Sequence, residues 1–271
     1  MKVALDAAGA GEPLVLLHGL GASRRLWHRV VPLLAVDRLV LAPDVPGFGE
    51  SPPAGPGFEF ASVIEALAAS LADRAGGPFD LLGSSLGGAL GLQFAIEHPE
   101  LVRRLVLAAP AGFSPRPWPL GAVAGALAEP ALAVRRIAGG PLSVSASARR
   151  VLLWGAVAAP QRLSASDARL IVSSSGRAAR LGPALAAVLR ADLRPQLRRL
   201  EVPVGLIWGE RDRVVPISTL DTTRAVRRDV AVETLPGAAH IPQLECPEEF
   251  VAAVRRVLER LGGRSEMNTA F

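Results

Sequence analysis

Short unbroken apolar runs, set apart by stretches with helical spacing, give this chain its rhythm. Leu14 to Leu17 is apolar throughout and ends at His18 and Gly19, and Arg38 to Ala42 leads into Pro43 and Asp44. Phe79 to Leu82, Arg103 to Ala108, Val202 to Trp208 and Ala231 to Leu235 repeat the theme. Apolar runs of this length without polar alternation read as strands buried on both faces. Between them, Ser62 to Arg74 carries apolar residues at helical spacing and closes at Gly76 and Gly77, while Ala89 to Ile96 is a second helical run that stops at Pro99. Alternating strands and helices predict an α/β fold, a doubly wound, mostly parallel sheet with helices on both faces.

The rhythm breaks from Phe113 to Arg199. Helical stretches occur there (Leu120 to Ile137, Ala148 to Ala158, Asp167 to Val172), Ser164 and Asp167 form a capping pair, and no convincing strand appears. The pattern predicts a body made of residues 1–112 and 200–262, a helical lid inserted at 113–199, and an unstructured tail over 263–271.

Composition narrows the class without changing this picture. The 271 residues are 50% hydrophobic, ample for a buried core. No run reaches the roughly 20 apolar residues of a membrane span, and Met1 and Lys2 lead directly into fold-like sequence with no room for a signal peptide. The single Cys246 excludes an internal disulfide framework and agrees with a cytoplasmic location. His18, His28, His98 and His240 show no ligand spacing, so no metal is expected. No Gly-rich phosphate loop follows the first strand, so no cofactor is expected either.

The chemistry concentrates in Gly83-Ser84-Ser85-Leu86-Gly87, between a strand and a helix. Glycines on either side leave room for a sharp turn that lifts the Ser85 hydroxyl above the end of the sheet. The following helix aims its free N–H groups at the same point, where an attacked carbonyl would become negative. Ser84, the rival hydroxyl, sits one place too early for the apex.

A serine needs a base, and the base needs an acid to orient it. Asp212 follows the strand ending at Trp208, and His240 follows the last strand, both where loops leave the C-terminal edge of a parallel sheet. Asp212 has a competing use as a cap for the helix beginning near Pro216, with Glu210 as the substitute acid. His98 reads as a helix terminator, His28 as an exposed or packing residue, and His18 as a support of its own loop. For the oxyanion, the backbone N–H groups of Leu20, flanked by Gly19 and Gly21, and of Leu86 are the candidates.

These residues, with Asp44-Val45-Pro46-Gly47-Phe48-Gly49 and with Glu245, Pro247 and Phe250 after His240, resemble the α/β-hydrolase superfamily over nearly the whole chain outside the lid. The likeness is to its small bacterial esterases and carbon–carbon bond hydrolases. It implies a serine hydrolase that cleaves a carboxylic ester or thioester of a small, largely apolar acyl substrate through Ser85, His240 and Asp212. Carbon–carbon hydrolysis and ligand binding without turnover are the alternatives. Haloalkane dehalogenases and epoxide hydrolases of this fold use an aspartate nucleophile, and epoxide opening also draws on lid tyrosines; this chain has Ser85 and no tyrosine. Ring-cleavage carbon–carbon hydrolases commonly carry Asn before the serine, where this chain has Ser84.

Charge adds one expectation. The whole chain carries +5, yet 113–199 holds 13 arginines against Glu129, Asp167 and Asp192 for a net +10, while the remainder is −5. A basic lid on an acidic body suggests an anionic substrate, an acidic carrier protein or an anionic lipid surface, with Arg135, Arg136, Arg149 and Arg150 as the residues to test. With no recognition helix or aromatic–basic interleaving, no nucleic-acid partner is expected. Trp118 and Trp154 fit an apolar acyl pocket and core packing about equally well.

Overall fold

The computed structural model of the chain describes residues 2–113, 141–174 and 178–268. Seven strands form one sheet: β1 (Leu5–Ala8), β2 (Glu12–Leu17), β3 (Arg38–Pro43), β4 (Phe79–Ser84), β5 (Val102–Ala108), β6 (Val204–Gly209) and β7 (Ala231–Leu235). Their spatial order is β1-β3-β2-β4-β5-β6-β7, and all neighbours are parallel except β1, which runs antiparallel to β3. The chain moves outward from β2 to β3 and then crosses back to β4 on the other side of β2. The loops after β2 and β4 therefore diverge around one crevice, where open α/β sheets bind ligands.

The pleat sorts the apolar runs between two cores. Val15, Leu17, Leu81, Leu105 and Leu107 face α2 (Phe60–Ala75) and α3 (Leu86–Glu97), packing on Ile64, Leu67, Leu71, Leu90 and Phe94. Their neighbours Leu14, Leu16, Leu82 and Val106 face the opposite side and pack on Trp27, on Leu34 of α1 (Val31–Leu34), and on Phe250, Val254, Val257 and Leu261 of the C-terminal helix. A strand wanted by both faces has no polar alternation to show, which is why the pattern was readable as runs. Each fully buried Leu or Val contributes roughly 1.5–3 kcal/mol by leaving water.

Between β5 and β6 the described residues form helices and no strand: α4 (Ala146–Leu152), α5 (Ala165–Ser174), α6 (Leu181–Arg190) and α7 (Arg194–Arg199). After β6 come α8 (Ser218–Val226), α9 (Pro242–Glu245) and α10 (Pro247–Asn268). A third apolar cluster holds the helical insertion to the body, with Leu153, Val157, Leu163 and Val172 on Leu26, Ile241 and Leu244. Ser164 caps α5 as expected, its Oγ accepting the Asp167 N–H at 3.0 Å. The buried Asp167 carboxylate then takes Arg29 and, at 3.1 Å, His28, joining the helical insertion to the loop after β2.

Three expectations change. The strand β1 was not anticipated, because Leu5-Asp6-Ala7-Ala8 is a short, half-exposed edge with little apolar signal. The helix expected from Ala148 to Ala158 ends at Leu152, and Gly155 at φ 83° turns the following residues toward the sheet edge. The tail expected to be unstructured from 263 is helical through Asn268, since mid-helix glycine costs only about 0.5–1 kcal/mol and the packed turns up to Leu261 support it. The stretch Leu120 to Ile137 and Trp118 lie outside the described residues.

Candidate active site

Ser85 stands between β4 and α3 at φ 55° and ψ −116°, a conformation that strains a residue with a side chain. The surroundings enforce it. Ser85 donates its N–H to Ala108 O at 3.0 Å, and its carbonyl accepts the N–H groups of Gly88, Ala89 and Ala111 at 3.0, 3.1 and 3.1 Å, so the turn is tied both to the end of β5 and to its own helix. A Cβ at Gly83 would collide with the Gly87 carbonyl, and one at Gly87 with the carbonyls of Leu17 and His18. The two glycines are required by close backbone approach, which is the physical content of the five-residue pattern.

The two residues expected to offer backbone N–H groups border the same crevice. Leu20 and Leu86 both line the cavity beside Ser85, and among the described residues neither backbone N–H has a hydrogen-bond acceptor. Unsatisfied amides at the N-terminus of a 12-residue helix and in a neighbouring glycine loop suit a developing negative charge. His18 supports that loop and is not a base. Fully buried, it donates from Nδ1 to Gly19 O at 2.9 Å and accepts the Val45 N–H at Nε2 at 3.0 Å. Burial holds its pKa below the ordinary value, which keeps the ring neutral for that acceptor role.

His240 and Asp212 meet across 28 residues of sequence. His240 Nδ1 donates to Asp212 Oδ2 at 2.7 Å, and the Asp212 side chain is fully buried. Asp212 Oδ1 accepts the N–H groups of Val214 and Val215 at 2.8 and 2.9 Å, so the same carboxylate both folds its loop and orients the imidazole. The capping use and the catalytic use weighed from sequence are compatible. This pairing leaves Nε2 of His240 as the ring nitrogen able to take a proton. Glu210 is elsewhere, accepting from the Thr234 hydroxyl at 3.1 Å, and His98 ends α3 beside Glu65.

Ser85 and His240 open together on a cavity of about 630 Å³. Its floor is Gly19, Leu20, Ser84, Ser85 and Leu86; its roof includes Ala156, Ile171, Leu185, Val188 and Leu189; Val214, Val215, Pro216 and Thr219 close one side. Among the described residues no Asp, Glu, Lys or Arg lines it, and their polar side chains there are Ser84, Ser85, Thr219 and His240. Such a volume suits a small ester or a medium acyl chain, and such a lining suits an uncharged one. Trp154 is not part of it: 72% exposed, it lies on the outside under the Arg213 guanidinium at 5.7 Å. Thr219 went unrecognised in the sequence, where a threonine near a helix start carries no signal.

Arg149, expected on a docking surface, is buried. It donates to the carbonyls of Ser143 and Val144 at 2.9 and 2.8 Å and of Pro160 and Gln161 at 3.3 and 3.4 Å, so it holds the turns of the helical insertion together. Arg150 beside it is exposed, while Arg135 and Arg136 lie outside the described residues.

A mostly parallel sheet with a serine at a strained strand-to-helix turn, and a histidine–aspartate pair on the loops after β6 and β7, defines an α/β hydrolase. The chain belongs to the alpha/beta hydrolase fold family, whose model matches residues 12–247. It is 33% identical over 262 residues to a pimeloyl-[acyl-carrier protein] methyl ester esterase of Chromobacterium violaceum, covering 96% of this chain and 99% of that one. The enzyme of the same name from Aeromonas hydrophila is 30% identical over 269 residues, covering 94% and 98%. Among solved structures, a hydrolase from Pseudomonas aeruginosa aligns with a TM-score of 0.75 at 27% identity over 94% of each chain.

Proposed function

We propose that this chain is a serine esterase in which Ser85 attacks the carbonyl of a carboxylic ester and His240 Nε2 accepts the hydroxyl proton. Asp212 holds the imidazole in the required tautomer and steadies its charge. The oxyanion rests on the N–H groups of Leu20 and Leu86. His240 returns the proton to the leaving alcohol, then activates a water that releases the acid from Ser85. The observation that carries this reading is the 2.7 Å bond from His240 to a fully buried Asp212 at the cavity that Ser85 also lines.

The substrate we favour is an uncharged ester at the end of an acyl chain borne by an acidic carrier protein. The uncharged cavity would receive the ester end, and exposed lid arginines such as Arg150, Arg162 and Arg169 would meet the carrier. We read 113–199 as the lid. A cytoplasmic location fits a single Cys246 whose thiol burial pushes up to about 12, and among the described residues no helix is long and apolar enough to cross a membrane.

Turnover of p-nitrophenyl esters of graded chain length by wild type, Ser84→Ala and Ser85→Ala tests the assignment. The expected result is activity in the first two and loss in the third. Activity retained in Ser85→Ala overturns it. Absence of ester turnover in all three, with a fluorophosphonate still labelling Ser85, would point to a carbon–carbon substrate; absence of labelling would point to a binding protein. Exchanging Arg150 and Arg162 for Glu should raise KM for a carrier-borne ester and leave the p-nitrophenyl esters unchanged.

A further inference from the structure

The His240 loop is fastened to the lid more closely than catalysis by a Ser-His-Asp set demands, and one carboxylate makes the fastening. Glu245, at the end of α9, accepts the Ala239 N–H at Oε1 (3.0 Å) and the Ala158 N–H at Oε2 (2.7 Å). The first donor directly precedes His240 in sequence; the second belongs to the lid. Around them the lid backbone is stitched to both catalytic loops, with His240 N–H donating to Ala156 O at 3.1 Å and Arg213 N–H to Gly155 O at 3.4 Å. Ile241 and Leu244 add apolar contact with Leu153 and Val157.

An ionised carboxylate suits this place. An N–H donor at each of its two oxygens matches an acceptor-only group, and charge-assisted bonds of this kind are roughly twice as strong as neutral ones. No Lys, Arg or His among the described residues forms an ion pair with Glu245, so its charge is answered by backbone amides. Burial works against that charge and pushes its pKa above the usual carboxylate range.

We propose that Glu245 is a positioning residue that locks the lid segment 155–158 to the His240 loop, so that the base is aligned on Ser85 while the lid is docked. This inference rests on the reading of His240 as the base. In Glu245→Gln one acceptor becomes an amide NH₂ facing a backbone N–H, at unchanged size. The expected result, with p-nitrophenyl butyrate, is a fall in kcat of about tenfold or more with KM within about twofold, the signature of a misplaced catalytic group in place of lost binding. Hydrogen exchange should quicken in 155–158 and in 237–241 together. Unchanged kcat, a raised KM at unchanged kcat, or faster exchange in 155–158 alone overturns the inference.

If Glu245→Gln does not fold, Ala158→Pro removes the lid's donor and leaves Glu245 in place; it should lower kcat in the same way, and unchanged kcat there counts against the lock. The exchange measurement needs no substrate. A wild type that turns over no ester defeats the esterase reading, while the coupled exchange still decides whether the lock exists.

Discussion

The floor and the roof of the cavity are built by different physics. The floor is backbone against backbone: Gly83 and Gly87 admit carbonyls where a Cβ would collide, and Ser85 is pinned by four main-chain hydrogen bonds. The roof is side chain against side chain, with Ile171 on a short helix held by one apolar cluster, Val188 on another held by a second, and the turns before them held by Arg149. Backbone constraint fixes atoms closely and tolerates almost no substitution, which suits chemistry. Side-chain packing tolerates exchange of size and shape, which suits choice of substrate.

That contrast can be broken most forcefully at the floor. Ser85→Ala should reduce kcat by about 10⁶, as loss of a nucleophile does elsewhere, with the fold intact by circular dichroism. Asp212→Asn, which leaves the geometry and spoils the tautomer of His240, should lower kcat by about 10⁴ and should not recover with more substrate. Effects of either size at the roof would erase the distinction.

Roof substitutions should register in stability and selectivity instead. Arg149→Met leaves four carbonyls without their donor and should lower stability by about 3 kcal/mol, measured by urea unfolding, with the loss confined by hydrogen exchange to 143–161. Val188→Phe should reduce kcat/KM for the longest p-nitrophenyl esters by about tenfold and leave acetate and butyrate within about twofold.

The smallest effect belongs to His18 beneath the floor. Its folded pKa lies below the unfolded value near 6.5, so the unfolded chain takes up the proton first as pH falls. Its contribution to stability is therefore whole above about pH 6.5 and declines below it, by at most about 1.4 kcal/mol per pH unit. Between pH 7.5 and 5.5, His18→Gln should lose less stability than wild type by urea titration.

The same contrast explains what could be read from sequence. The elbow was legible because its glycines, serine and helix lie within a dozen residues, and each answers a local steric demand. Asp212 and His240 were legible by their order on successive loops at one sheet edge. The roof was not: an apolar helix position at Val188 or Ile171 looks alike whether it faces a core or a cavity. Arg149 looked like any other lid arginine, since its acceptors are carbonyls that sequence does not display. Glu245 was seen beside His240 without a role, because its partner Ala158 is 87 residues away and offers only a backbone N–H.

The central claim is that Ser85 carries the acyl group. Acid-quenching the protein during turnover of p-nitrophenyl butyrate and mapping the peptides by mass spectrometry tests it directly. A butyryl adduct on Ser85, absent from Ser85→Ala and retained in Ser84→Ala, is the predicted result; an adduct on Ser84, or continued turnover in Ser85→Ala, would contradict it.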